Sequence, residues 1–386
     1  MLFRDHKPLL LPVLVQTTVL ISGACVAGPA LAYWLRRHGL TPTVVERAPA
    51  LRIGGQAIDI RGAALHVVDR MGIGERVRQA RTHMRGMTVL DKDGNELMRS
   101  TEATYSGGRL DGDDVELLRE DLTALLYERT RDDVEYLFGD SIAAMREDEH
   151  GVRVTFERGE PRTFDLVVGA DGLHSNVRRL AFGEESRFLH GLGTHLAIFS
   201  ADNFLDLDNW QVWLRNDDAG YGIYPVRDNT QLRVTLGFAS EPPGHDYGDA
   251  AQQKRLIAER LAGLRWETPR LLEAMEEAPD FYFDAMAQIR MERWSKGRVA
   301  LVGDAGYCPS PMSGQGTSLA LVGAYVLAGE LGRAGGDHGA AFARYDERMR
   351  PFVALNQALA TENPGMAAAE ESLERAKNAI ALDGGS

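Results

Sequence analysis

The 386-residue chain has only two cysteines, Cys25 and Cys308, too few for a disulfide framework, and this points to a reducing compartment. Basic residues are outnumbered, 43 Lys and Arg against 56 Asp and Glu, for a formal net charge of −13. That balance argues against a general nucleic-acid binder, which needs a basic face. No apolar run is long enough to span a bilayer, so no membrane partner is expected. The stretch Leu9–Val15 is short, carries Pro12 and lacks a clear small-residue cleavage site. Residues 1–16 therefore read as a flexible extension rather than a secretory signal, and the expected location is cytoplasmic. Internal repeats and low-complexity tracts are missing. The ten histidines are scattered, no His/Cys group has metal-ligand spacing, and no Ser/His/Asp arrangement stands out, so neither a metal nor a nucleophilic triad is expected. What is plentiful is apolar residue, 44% of the chain, enough for two domains with substantial cores.

The positive signals are glycine-bearing turns placed after apolar runs. Thr17–Ser22 is β-branched and apolar, as a buried parallel strand requires, and Gly23-Ala24-Cys25-Val26-Ala27-Gly28 follows it. Pro29–Gly39 then reads as an amphipathic helix, and Thr43-Val44-Val45 as a second strand ending at Glu46. Strand, glycine turn, helix, strand and acid make a dinucleotide fingerprint. Gly23 permits the tight turn, Gly28 close helix–strand packing, and Glu46 can hold a ribose hydroxyl pair. Cys25 replaces the fingerprint's middle glycine and reads as a small packing residue. A second strand-like run ends in Gly169-Ala170-Asp171-Gly172, where Asp171 either caps the next helix or faces the ligand. A third, Val299–Val302, ends in Gly303-Asp304, followed by Pro311, Gly314-Gln315-Gly316 and a helix-like run from Thr317. Its glycine turn presents N–H groups at a helix N-terminus, where an anionic ligand atom is favoured. Arg119, in the first turn of a helix after Leu117-Leu118, can clamp a phosphate.

In this order the motifs resemble the class A flavoprotein monooxygenases of the para-hydroxybenzoate hydroxylase fold, over roughly residues 17–355. Gly54-Gly55-Gln56-Ala57-Ile58-Asp59-Ile60 and the Leu118-Arg119 helix look most similar to the tetracycline-inactivating and polyketide-modifying members. The resemblance implies an α/β chain: a Rossmann-like FAD-binding domain, a second α+β substrate domain on an antiparallel sheet, and a C-terminal helix. The implied division is 1–16 flexible extension; 17–83, 111–183 and 284–331 FAD-binding domain; 84–110 and 184–283 substrate domain; 332–386 C-terminal helical segment.

It also implies FAD as cofactor, held by Gly23, Cys25, Ala27, Gly28, Glu46, Arg47, Gly55, Gln56, Asp59, Arg119, Asp171, Gly303, Asp304, Pro311, Gly314, Gly316 and Thr317. Glu46 and Arg47 go to the adenosine end, Arg119 to the pyrophosphate or ribityl region, Asp304 to the ribityl chain, and Gly314–Gly316 to the pyrimidine edge. The stretch Gly54–Arg61 borders the isoalloxazine. Tyr307 and Ser318 stand where the family commonly has His and Asn.

Residues from about 185 to 283 alternate as antiparallel strands do, with helical text from about 250 to 278. Pocket candidates are Tyr224, His195, Arg215 and Trp213, with His195 a base for a phenol or enol. Beyond residue 331, helices are expected over Ala340–Arg350 and Phe352–Glu362, broken at Pro351 and Pro364, with Glu370–Gly385 a frayed end. The implied reaction takes NAD(P)H and O2 and hydroxylates an electron-rich aromatic, phenolic or polyketide-like substrate through a flavin C4a-hydroperoxide, in a monomer or homodimer. Two alternatives stay open: a flavin-loaded protein that sequesters an aromatic antibiotic, and a flavin halogenase or reductase of the same fold. Trp210 and Trp213 lack the halogenase Trp-x-Trp spacing.

Overall fold

The computed structural model describes residues 16–239, 249–363 and 368–382. The expected extension before Gln16 and the break at Pro364 lie outside them. Val19, Leu20 and Ile21 are fully buried, so the strand Thr18–Ser22 has apolar layers on both faces. It sits inside a six-stranded sheet between the parallel strands Thr41–Glu46 and Leu166–Gly169. Glu135–Phe138 extends one side, and Val299–Leu301 then antiparallel Ser295–Lys296 the other. Because five of these strands run the same way, their carboxyl ends share one edge, where such sheets bind ligands. The helices Ala27–Arg37 and Gly316–Arg333 pack against each other beside that sheet.

A seven-stranded sheet follows the order Tyr282–Ile289, Leu189–Asp202, Gln231–Ala239, Ala219–Val226, Trp210–Arg215, Gly86–Leu90, Glu96–Ser100. It is antiparallel except where Trp210–Arg215 meets Gly86–Leu90. Its strands alternate. Ala197, Phe199, Tyr221, Val234 and Leu236 pack with Ile257, Leu261, Leu271 and Met275 of the helices Ala250–Leu261 and Thr268–Glu277. Each of the larger apolar side chains among them contributes about 1.5–3 kcal/mol, which fixes that face of the sheet to the helices. The opposite face is left for the nucleotide-type sheet and its turns.

The C-terminal expectation is corrected in two places. His338–Glu362 is one helix that runs through Pro351. The local rule breaks a helix at proline. Here Tyr345, Met349, Phe352 and Val353 are buried on both sides of the break point, and Arg350 is tied to Asp346 and to the carbonyls of Met291 and Glu292. After it, Glu370–Lys377 is an ordered helix rather than a frayed end. Asn356 Nδ2 donates to Ala376 O at 3.0 Å, and Lys377 Nζ reaches Asp114 at 2.9 Å.

Candidate active site

Gly23 begins the turn after the central strand with φ +107°. A Cβ there would lie 2.5 Å from Ala170 O, so only glycine lets the first and second motifs touch. At Gly28 a Cβ would lie 1.9 Å from Gly23 O, which makes helix and turn pack backbone to backbone. Ala27 meets the third motif: a Cβ at Gly303 would be 3.2 Å from Ala27 Cβ. Glu46 accepts from Ala24 N–H and Ala48 N–H, both at 2.9 Å, so the acid is aimed along the turn, with Arg47 exposed beside it. The helix Ala27–Arg37 has no side-chain cap, and neither has Gly316–Arg333. Their leading N–H groups are left to a ligand or water.

Asp171 differs. It accepts from Ser22 Oγ (3.2 Å), Val177 N–H (3.1 Å) and, by a very short bond, Ser175 Oγ. Burial pushes its carboxyl up while these donors pull it down. The helix Asn176–Phe182 is capped by Ser175, whose Oγ accepts from Arg178 N–H, and Asp171 supports that cap through Ser175 and Val177 N–H. Fully buried Arg178, which sequence reasoning missed, locks this motif to the third by donating to Ala305 O at 3.0 Å.

In the third motif Gly303 and Gly314 take φ of +65° and +63°. Pro311 opens the 3-10 turn Pro311–Ser313, and Gly314 N–H donates back to Pro311 O at 3.0 Å. Thr317 follows in the first turn of the helix. Asp304 lies beside this turn; a Cβ on Gly316 would be 3.7 Å from its Oδ1, and burial pushes its carboxyl up. Tyr307 is core, its hydroxyl accepting from Tyr345 at 2.9 Å. Ser318 Oγ accepts from Arg61 N–H at 3.0 Å, joining the helix to the Gly54–Arg61 segment.

That segment is held from three sides. Consecutive residues of the helix Arg119–Glu128 take both polar groups of Gly54: Arg119 donates to its carbonyl at 2.8 Å and Glu120 accepts from its N–H at 2.6 Å. Arg119 also donates to Cys25 Sγ at 3.6 Å, so it bridges the first turn and this segment. A Cβ on Gly55 would meet Arg119 Nε at 2.4 Å. Behind Gly54, buried Arg233 pairs with Asp280 (3.0 Å) and Glu120 (3.6 Å). No sequence signal marks this cluster, because it depends on which strands become neighbours.

Tyr224, 2% exposed, accepts from Ala57 N–H at 2.9 Å, and burial pushes its phenol well above the ordinary range. It positions the segment through that bond. Gln56 O accepts from Arg119 N–H at 3.2 Å. Asp59 pairs with Arg61 at 2.9 Å; burial pushes its carboxyl up to about 7 despite that cation.

On the large sheet, Trp213 and Arg215 share the face opposite the helices, and Arg215 is exposed. His195 does not. It pairs with Phe238, shares the alternation of Ala197 and Phe199, and stacks between Phe238 and Phe283 at 5.5 and 5.2 Å. Its burial on the helix side lowers its pKa and removes it as the base.

These residues fit FAD. Glycine at 23 and 28 lets the turn pack backbone to backbone, and the helix start it leads into is uncapped, with N–H groups left for a phosphate. Beside Gly314, buried Asp59 Oδ1 and both amide atoms of Gln315 have no hydrogen-bond partner. Unpaired buried polar atoms are costly, and a ring edge carrying donors and acceptors would satisfy them.

Comparison with known proteins agrees. Residues 16–358 match the family model described as FAD binding domain. A flavin-dependent monooxygenase from an unknown prokaryotic organism is 43% identical, over 88% of this chain and 87% of its own. An uncharacterized protein of Mycobacterium tuberculosis (strain ATCC 25618 / H37Rv) is 54% identical, over 95% and 99%. The crystal structure of tetracycline destructase Tet(55) superposes with a TM-score of 0.86 at 39% identity, covering 96% of this chain and 99% of that one. The chain belongs to the FAD-binding-domain family of flavoproteins. Within it, the chain is a flavin-dependent monooxygenase. No helix among the described residues is long and apolar enough to cross a membrane.

Proposed function

We propose that the enzyme uses NAD(P)H and O2 to hydroxylate an electron-rich aromatic, phenolic or polyketide-like small molecule. The site residues are those named above. One observation carries the reading: the Gly54–Arg61 segment is sewn by Tyr224, Arg119 and Glu120 between the three turns and the open face of the large sheet. A substrate bound in that position would have the Gly54–Arg61 segment on one side and Trp213 and Arg215 on the other.

Glu46 would hold the adenosine ribose. The amides after Gly23, with Arg119, would hold the diphosphate, Asp304 the ribityl hydroxyls, and Gly314–Gly316 with Gln315 the pyrimidine edge. Bound FAD supplies the redox chemistry, taking electrons from NAD(P)H and activating O2. The protein's part is to exclude water and orient the substrate carbon. Asp59, whose carboxyl burial pushes up to about 7, is suited to hold a proton, and exposed Arg215 offers a positive charge to a phenolate or enolate at the pocket rim.

The test is reconstitution with FAD, followed by a screen of polycyclic phenols and tetracycline. The expected result is substrate-stimulated NAD(P)H oxidation with O2 uptake and a product heavier by one oxygen atom. Binding without either uptake would leave a sequestering protein instead, and failure to take up FAD would overturn the cofactor assignment.

A further inference from the structure

Trp213 lies on the open face of the large sheet, in a row with Gly222 and Thr235. Its indole is flat against Gly222: a Cβ there would be 2.4 Å from ring atom Cζ3. Its Nε1–H donates to Gln211 Oε1 at 2.9 Å. Gln211 is fully buried, and its Nε2 donates to Ser106 Oγ at 2.5 Å. Ser106 sits at the tip of a short hairpin, Ala103–Thr104 paired with Gly108–Arg109, and its carbonyl accepts from Arg61 Nη2 at 3.4 Å. The preceding residue, Tyr105, is 44% exposed and meets the indole edge-on, centroids 5.4 Å apart at 66°. In the next row of the same face stand Gly220 and Gly237; a Cβ on Gly237 would meet nothing closer than 3.7 Å.

A large aromatic is thus fixed from below, at its nitrogen and at one edge, yet stays only partly covered, and the floor beside it is low, with glycine at 220, 222 and 237 between Thr235 and Arg215. A core tryptophan would be covered on all sides, and an ordinary surface one would not be pinned at three. We infer that Trp213 and Tyr105 form a preorganised aromatic corner that stacks a planar ring system of the substrate, with Gly222 and Gln211 as positioning residues. The inference rests on the monooxygenase reading and names the shape its pocket selects. Aromatic contacts prefer offset or edge-to-face geometry, and a ring already held in one rotamer costs a ligand no ordering of that side chain. A flat floor admits fused planar rings and leaves a puckered saturated ring with poor contact. Ser106 joins the corner to Arg61, so the same backbone that borders Asp59 also sets the wall.

The test uses FAD-loaded enzyme and calorimetric titration with planar phenols of one to three fused rings, 2,7-dihydroxynaphthalene among them, and with the non-planar enol dimedone. Planar probes are expected to bind more tightly as rings are added. Trp213→Ala is expected to weaken the naphthalenediol about tenfold, and Trp213→Phe by no more than about threefold. Gly222→Ala, which lifts the indole, is expected to weaken it by a similar factor to Trp213→Ala while the flavin absorbance spectrum and FAD affinity stay as in the parent. Dimedone binding is expected to be indifferent to all three substitutions. Wild-type enzyme that binds no planar probe, or planar binding unchanged in both Trp213→Ala and Gly222→Ala, overturns the corner even where FAD is bound. Loss of FAD from the parent protein would instead sink the cofactor assignment, so the two failures are told apart by one absorbance measurement.

Discussion

On the strand Leu189–Asp202, His195 stands two residues before Ala197 and four before Phe199, both packed on the helix side. Period-two alternation therefore carries its ring into the aromatic layer between Phe238 and Phe283. A base for a phenol would have to stand one position along. His195→Phe keeps the volume and the stacking, so turnover is expected within about threefold of the parent; steady-state kinetics on any accepted substrate checks this, and a loss of a hundredfold or more would restore the catalytic role. Tyr224 lies on the opposite, open face, and its hydroxyl accepts from Ala57 N–H, which gives it a positioning role in the Gly54–Arg61 segment. Gly23, Gly28, Glu46 and Asp304 were legible in the sequence because each answers a local demand: a tight turn, a close approach, an acid at a strand end. Arg233, Asp280 and Gln211 were not, since a lone Arg, Asp or Gln on a strand acquires its partner only from sheet order.

The C-terminal helix Glu370–Lys377 is held by few contacts, and one of them is steric. Gly62, at φ +51°, lies under it; a Cβ there would be 2.5 Å from Lys377 O. Gly62→Ala combines an unfavourable backbone conformation with a backbone clash, so a loss of about 1–3 kcal/mol is expected. Thermal unfolding measures it; an unchanged melting temperature would show that the helix yields without cost. The element before it shows a limit of reading by local rule. Proline at position 351 signals a break, and the buried residues around it and the anchoring of Arg350 override that signal.

At the scale of the whole molecule, the two sheets are joined across their seam by His174. Its ring lies between Asp284 of the large sheet (3.0 Å) and Glu185 (2.9 Å). Hydrogen bonds to Asp284 and then Glu185 push its pKa from 6.5 up to about 10, against desolvation. A folded-state pKa above the unfolded value stabilises the fold fully below about 6.5, and that gain is lost as pH rises toward about 10. The ring is half exposed, so solvent screening keeps the effect modest. The difference in melting temperature between the parent and His174→Gln is therefore expected to be largest near pH 6 and to close by pH 10; a constant gap would rule out the ion pair as its source. Val299–Leu301 docks beside Leu166–Gly169, and the turn it delivers completes a cradle begun at Gly23. A polypeptide leaving the ribosome from its amino end exposes the Gly23 and Gly169 turns well before this last strand emerges, so the cradle closes only once Val299–Leu301 has docked.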